Sequence, residues 1–382
     1  MKKNKQTVEE LVRVDLREQY GARLFSSWQG KDMPAQHWFC DSDDGSVILS
    51  FKGDPTIQSY DGGETWDLYA GRRAWPPSDR GIFQIGNNLL AMGSGRRFWR
   101  SGDGGLTWGG EHAIPGGDEF HFDGLGPPNC FSTIMTTAGR IVIVADYFVG
   151  QHGPDTQLLC SVYSDDWGDT WQASRLFGPA EPLPKAPEGF GEPAVVELPN
   201  RRLWMVFRTL YGELWQSISR DGGASWHPPT PTGFASPIAN CYAARDPYSR
   251  ATVLCWNLTR PGIAQDFGSL HSLYRPRTNL VFSVSRDDTQ TWSCPVVVEA
   301  QGGFYPTIHF TEDRMFIMYQ SAPDERGRPW EDYGLTLVVY DRHESITLPA
   351  WTPETIRPYV DKGLVAGWRA IACQPPSHEI IT

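Results

Sequence analysis

One eight-residue pattern, S-x-D-x-[G/T]-x-[S/T]-W, occurs five times in this chain of 382 residues. The copies begin at Ser59, Ser101, Ser164, Ser219 and Ser285, and each ends in tryptophan. The Asp-Gly-Gly segment, present in three of the copies, favours a tight turn, because glycine accepts positive φ and the Asp and Ser oxygens can bond nearby backbone N–H groups. Each copy is therefore predicted to turn a β-hairpin and to pack its tryptophan between neighbouring units. A pattern repeated in this way indicates propeller blades or solenoid coils.

The spacing of the copies limits the number of repeats. Successive copies start 42, 63, 55 and 66 residues apart, which suits one four-stranded blade of about 40 to 45 residues plus loops, but not two. Five such blades and a sixth without the pattern, at residues 304–345, would make a ring. Residues 45–51 alternate in polarity and are predicted to form an N-terminal strand that completes a blade and closes the ring, which removes exposed sheet edges.

The octapeptides resemble the Asp-box of the sialidase superfamily. The resemblance implies an all-β, six-bladed propeller in one domain spanning residues 1–382. Sixteen Trp, 39 Gly and 30 Pro suit short strands, tight turns and aromatic packing between blades. Short helices are expected only near the termini, at about residues 7–18 and 352–370. The boxes themselves are interpreted as turn stabilisers, because a catalytic group has no reason to appear five times.

Charge and segment composition bear on partners and location. The net charge of −11 argues against nucleic acid or an anionic membrane as a partner, although a local arginine cluster can still hold an anionic sugar. No apolar stretch resembles a signal peptide or a membrane span. Seven cysteines show neither disulfide-framework nor zinc spacing. We therefore expect a cytoplasmic protein without metal or cofactor, and the sequence is compatible with a homo-oligomer.

The strongest candidate site residues flank a predicted hairpin. Strands at residues 193–198 and 203–207, joined at Pro199-Asn200, place Glu192 and Arg208 on the same rim. In the sialidases, an acidic residue precedes such a hairpin and a substrate-binding arginine follows it. The resemblance therefore implies that Glu192 assists a tyrosine nucleophile and that Arg208 binds the carboxylate of the sugar, a task suited to a planar fork of donors.

Two further positions follow in the order of the same family. Arg277 precedes the fifth box and matches another carboxylate-binding arginine, and Tyr305 matches the nucleophile. A tyrosine has a reference pKa near 10, so it needs a neighbouring carboxylate to take its proton as it attacks. Sialidases are the tyrosine-nucleophile exception among glycosidases.

The chain departs from the family pattern before the first box. Asp32, in Lys31-Asp-Met-Pro34, stands where sialidases carry the first carboxylate-binding arginine, and it is retained as a substrate-binding candidate. Asp54 is the nearest match to the catalytic acid. The altered arginine set predicts weak or absent action on ordinary sialosides.

Other loop residues extend the substrate-binding candidates. They are His37, Asp123 and His152, with His121, Tyr147 and Asp155 in similar stretches. A histidine beside a tyrosine or arginine can also abstract a proton from a uronic acid, which would make the protein a lyase.

These observations favour an exo-acting glycosidase that takes an acidic or uncommon sugar from a glycan or glycoside. The alternatives are a polysaccharide or oligosaccharide lyase on the same propeller and a non-catalytic propeller that binds carbohydrate or protein, because fold does not fix function.

Overall fold

The computed structural model describes residues 7–16, 18–20, 37–42, 44–51, 56–71, 76, 81–85, 88–93, 96–115, 132–148, 157–178, 190–260, 277–321 and 334–365. Within these ranges the strands form six antiparallel sheets of four strands each. The first strands of consecutive sheets contact each other all the way round, including the last sheet against the first. The molecule is therefore a closed six-bladed propeller, as the spacing of the octapeptides predicts.

Blades 1 to 3 run in chain order, each from its inner to its outer strand. Blade 1 comprises β2 (His37–Asp41), β3 (Val47–Phe51), β4 (Ile57–Ser59) and β5 (Asp67–Leu68). Blade 2 comprises β6 (Gly81–Ile85), β7 (Asn88–Met92), β8 (Arg97–Ser101) and β9 (His112–Ala113). Blade 3 comprises β10 (Ser132–Met135), β11 (Ile141–Phe148), β12 (Gln157–Ser164) and β13 (Gln172–Ala173).

Blades 4 and 5 follow the same order, and blade 6 takes its outermost strand from the N-terminus. Blade 4 comprises β14 (Phe190–Glu197), β15 (Leu203–Thr209), β16 (Glu213–Ser219) and β17 (Thr230–Ala235). Blade 5 comprises β18 (Tyr242–Arg245), β19 (Thr252–Asn257), β20 (Leu280–Ser285) and β21 (Val296–Glu299). Blade 6 comprises β22 (Gly303–Phe310), β23 (Arg314–Ser321), β24 (Gly334–Asp341) and β1 (Glu10–Asp15).

Ring closure differs from the sequence prediction. Residues 47–51 form β3, inside blade 1, and the strand that closes the ring is β1, which pairs antiparallel with β24. The predicted helix at about 7–18 is therefore wrong for residues 10–15. Val12, Val14 and Leu16 alternate with charged residues, and this period of two lets β1 bury one face against blade 6. The strand also covers the otherwise open edge of β24.

The remaining helices are short. A 3₁₀ turn, Pro199–Arg201, joins β14 to β15. Helix α1 (Arg342–Ile346) follows β24, and α2 (Pro353–Asp361) begins with a capping box at Thr352. Helix α2 lies within the predicted C-terminal helical segment, whose residues 366–370 fall outside the described ranges. Within the part of the chain that the structure describes, every helix is too short or too polar to cross a lipid bilayer.

The octapeptides form the turns that the sequence predicts. In the first, Ser59 Oγ donates to Asp61 Oδ1 (2.9 Å) and accepts from the Gly63 N–H (2.8 Å), while Thr65 donates to Asp61 through its N–H and its hydroxyl (2.9 and 2.5 Å). The same contacts recur in the other four. The Asp and Ser oxygens are thus engaged in holding the turn.

The tryptophans that end the octapeptides pack to different depths. Trp66, Trp171 and Trp292 are buried, which confirms the prediction for those three. Trp108 and Trp226 are only partly buried. The apolar clusters between adjacent blades therefore do not depend equally on every box.

Candidate functional site

Two inner strands carry the same local distortion at their third residues. Glu192 in β14 and Tyr305 in β22 both precede a proline, both lie at a shift of strand register, and both have positive φ, 49° and 53°. A bulge of this kind re-aims a side chain, and left-handed backbone at a non-glycine residue is strained. The two distorted positions lie in blades 4 and 6, which are not adjacent in the ring.

The side chains of this pair meet at one end of the ring. The Tyr305 hydroxyl donates to Glu192 Oε1 over 3.4 Å, and Arg208 Nε lies 2.9 Å from Glu192 Oε2. Glu192 and Arg208 are buried, and Tyr305 is partly buried. One carboxylate therefore links the phenol to a guanidinium in a nearly dry setting, where an ion pair is far stronger than in water.

Arg277 joins the same cluster from blade 5. Its guanidinium lies 5.7 Å from the ring centre of Tyr305 and 5.2 Å from that of Phe304, and its Nη2 donates to the Ile238 carbonyl (3.1 Å). These distances are typical of cation–π contacts. The structure thus brings together Glu192, Arg208, Arg277 and Tyr305, which the sequence places in three separate stretches.

The ionisation of Tyr305 follows from this environment. Burial, and after it the nearby Glu192 charge, raise the pKa of the phenol to about 12, against the lowering effects of Arg277 and Arg208. The hydroxyl is therefore protonated at neutral pH, because the pKa lies well above it. Any attack by this oxygen requires an adjacent proton acceptor, and Glu192 is in position to be one.

Asp146 belongs to this site, and sequence reasoning missed it. It lies near the end of β11 in the neighbouring blade, is only 4% exposed, and its Oδ2 accepts from the Glu192 backbone N–H (3.3 Å). The contact helps to fix the left-handed backbone of Glu192. A usable signal was present, since Asp146 is a lone charge in the apolar run Ile141–Phe148, and a buried carboxylate in a strand needs a specific partner.

A second polar group lies further along the channel, and sequence reasoning missed it too. Tyr305, Thr307 and His309 alternate along β22 as its less buried residues. His309 Nε2 lies 2.7 Å from Asp41 Oδ1, and its ring stacks on Phe39. Thr307 and His309 line a cavity of about 350 Å³ in the centre of the ring.

The remaining candidates have no described side-chain geometry. Asp32, Asp54, Asp123 and His152 lie outside the described residues, as do His121 and Asp155. His37 begins β2 and Tyr147 lies in β11, and only their backbones are described. Among the described residues, no group of three His, Cys, Asp or Glu side chains is arranged to hold a metal ion.

Sequence comparison places the chain in a family. Residues 82–318, more than half of the chain, match the BNR repeat-like domain. The chain belongs to the BNR repeat-like domain family. No curated protein matches this BNR-repeat protein at the level of sequence.

Solved structures share the fold of this BNR-repeat protein at low identity. A protein of unknown function from Dyadobacter fermentans is similar with a TM-score of 0.60 and 16% identity, over 87% of this chain and 99% of the other. Trypanosoma rangeli sialidase in complex with the inhibitor DANA is similar with a TM-score of 0.53 and 15% identity, over 85% of this chain and 57% of the sialidase. A mutant of that sialidase displaying trans-sialidase activity has a TM-score of 0.51 and 15% identity, over 85% of this chain and 56% of the mutant. The chain thus spans just over half the length of these sialidases, and the likeness shows a sialidase-like propeller fold.

Proposed function

We propose that this BNR-repeat propeller is a glycosidase of the sialidase type that removes an acidic or uncommon sugar from the end of a glycan or glycoside. One observation carries the proposal: the Tyr305 hydroxyl lies 3.4 Å from Glu192 Oε1. A phenol paired with a buried carboxylate, at a convergence of two arginines, is an activated nucleophile beside an anion-binding group. The likeness of fold to sialidases agrees with this assignment.

The chemical step follows from the positions of these groups. Tyr305 Oη attacks the anomeric carbon, its proton passes to Glu192, and the bond to the leaving oxygen breaks. Water then attacks the same carbon and gives its proton to the group that protonated the leaving oxygen. The bond from that carbon to Tyr305 Oη breaks, Glu192 returns its proton to the phenol, and the sugar is released. The longer distance of 3.4 Å is compatible with this role, since catalytic hydrogen bonds often tighten only when substrate binds. Asp54 remains our candidate for protonating the leaving oxygen.

The two arginines favour an anionic substrate. Arg208 Nε lies 2.9 Å from the Glu192 carboxylate that accepts from the Tyr305 hydroxyl, and the Arg277 guanidinium lies 5.7 Å from the Tyr305 ring centre. A sugar bound at Tyr305 would therefore have its carboxylate beside both arginines. A guanidinium presents paired donors to a carboxylate. A nearly neutral phenol also approaches an acidic sugar without the repulsion that a second carboxylate would meet. Asp32 in place of an arginine favours an acidic sugar other than common sialic acids.

Arg208→Lys should weaken substrate binding more than it slows chemistry. An ammonium cannot make the bidentate contact, so we expect KM to rise about tenfold, with kcat changing less. Steady-state kinetics on a glycoside that the unaltered protein hydrolyses measures KM and kcat separately. Arg202→Lys is the matched control, because Arg202 lies at the other end of the same hairpin and is more exposed. Unchanged KM in Arg208→Lys would remove Arg208 from the binding site.

A panel of aryl glycosides and acidic oligosaccharides, read by product mass, tests the proposed function. Hydrolysis adds the mass of water to the products, and we expect this with at least one acidic glycoside and little release of sialic acid from ordinary sialosides. An unsaturated product without added water would show a lyase instead. Binding without turnover across the panel would favour a carbohydrate-binding propeller.

A further inference from the structure

The face of the ring opposite Tyr305 contains a cavity of about 520 Å³. Its walls come from the turn between β2 and β3, the first octapeptide, and the turn between β22 and β23. Tyr248 reaches it from the turn between β18 and β19. Strand β22 separates this cavity from Tyr305 by about 20 Å, at roughly 3.3 Å per residue. The cavity is therefore distinct from the proposed catalytic site.

Tyr248 forms an aromatic wall that is held from behind. Its side chain is 52% exposed, and the guanidinium of Arg342 lies 4.7 Å from its ring centre. Arg342 is itself buried and fixed by Asp246 (2.8 Å) and by the Glu312 carbonyl (2.6 Å). One ring face is thus covered by a rigid cation, and the exposed part of Tyr248 lines the cavity. A buried ion pair is costly to build unless it is well bonded, and here it fixes the orientation of an exposed ring.

Hydrogen-bonding groups surround this ring. Asp41 and Glu312 line the cavity together with Tyr248. Partial burial raises the pKa of Tyr248, and the charges of these two carboxylates raise it too. His309 holds one oxygen of Asp41, which orients the carboxylate, and Asp41 lines both this cavity and the central one. Asp313 and Arg314 complete the polar wall.

We propose that this cavity is a second carbohydrate-binding site, for an uncharged or amino-bearing sugar ring. The apolar C–H face of a sugar packs on an aromatic ring, and its hydroxyl or ammonium groups donate to carboxylates. Carboxylates outnumber the single arginine of the wall, which disfavours an acidic sugar. The two faces of the ring thus have opposite preferences, with arginines at Tyr305 and carboxylates at Tyr248. This inference does not depend on the proposed glycosidase activity.

Titration calorimetry with maltotriose, cellotriose and glucosamine trisaccharide tests the site, with trigalacturonic acid as the acidic comparison. We expect at least one of the first three to bind, and Tyr248→Ala to weaken that binding at least tenfold while leaving the melting temperature nearly unchanged. Tyr60→Ala is the matched control, because Tyr60 belongs to the first octapeptide and is 70% exposed, but does not line the cavity.

The same titrations on Tyr305→Phe separate the two faces of the ring. Binding at the second site should be unchanged in that variant, whether or not Tyr305 is a nucleophile. The proposal is overturned if none of the three trisaccharides binds, if Tyr248→Ala binds as well as the unaltered protein, or if trigalacturonic acid competes at this site with higher affinity.

Discussion

Tyr305→Phe is expected to lower kcat by about 10³-fold or more while leaving substrate affinity within a few-fold of the unaltered enzyme. The substitution removes only the attacking oxygen, and loss of a nucleophile is among the largest single effects in enzymes. The ring of Tyr305 and its contact with Arg277 are retained, so the pocket should keep its shape. Turnover kinetics and direct binding of the same glycoside measure the two quantities separately.

Tyr242→Phe is the matched control for this variant. Tyr242 lies in β18, lines the central cavity, and has a pKa raised to about 12 by burial alone. It therefore shares the environment of a channel tyrosine without the contact to Glu192, and its removal should leave kcat within a few-fold. Equal losses in both variants would point to the channel as a whole, and full activity in Tyr305→Phe would remove the nucleophile.

Trp292→Ala is expected to lower the free energy of unfolding by about 3–5 kcal/mol, as large-to-small changes in a packed core do. Trp292 is 1% exposed and packs against Trp204 and Phe234, with ring centres 5.7 and 5.9 Å away. Its loss opens a cavity between blades 4 and 5 that rigid neighbouring strands cannot fill. Urea unfolding followed by tryptophan fluorescence and circular dichroism checks the change.

Trp226→Ala provides the comparison at an equivalent box position. Trp226 is only partly buried, so less apolar surface is lost, and we expect a smaller loss of about 1–2 kcal/mol. Its indole N–H donates to Ser161 Oγ (2.9 Å), which accounts for part of that loss. If Trp292→Ala unfolds like the unaltered protein yet loses activity, the octapeptides belong to the functional site rather than to the packing of the ring.

The repeats made the architecture predictable, because each octapeptide carries its whole turn within eight residues. Ser59, Asp61 and Thr65 bond to one another regardless of what lies beyond the turn, so local sequence is sufficient. The closing strand was harder. Val12, Val14 and Leu16 fit a period of two, but the surrounding charges also fit a helix, and the choice depends on the free edge of β24, more than 300 residues away.

The candidate site could be predicted where a motif marked it and was missed where only the fold brings residues together. Glu192, Arg208 and Tyr305 each lie beside a recognisable hairpin or strand, and the ring places them together. Asp146 and the pair of Asp41 with His309 have no motif of their own. Each depends on a contact between neighbouring blades. Asp146 accepts from the Glu192 backbone N–H, and Asp41 pairs with His309.

The turn-forming residues and the proposed catalytic residues lie on opposite faces of the ring. The octapeptides and the turn-forming Asp and Ser groups lie at one end of the strands, and the strained residues Glu192 and Tyr305 lie at the other. Strain of this kind is found at functional sites because the surrounding fold can hold it. The separation lets the turns be repeated for stability while the other ends of the strands vary.

Trapping of a covalent intermediate is the most direct test of Tyr305 as the nucleophile. The unaltered protein would be incubated with a fluorinated glycosyl fluoride of the acidic sugar turned over in the panel, and then digested for peptide mass spectrometry. We expect one glycosyl adduct, carried by Tyr305 and absent from Tyr305→Phe. Turnover of the parent glycoside with no adduct, or an adduct on another residue, would contradict it.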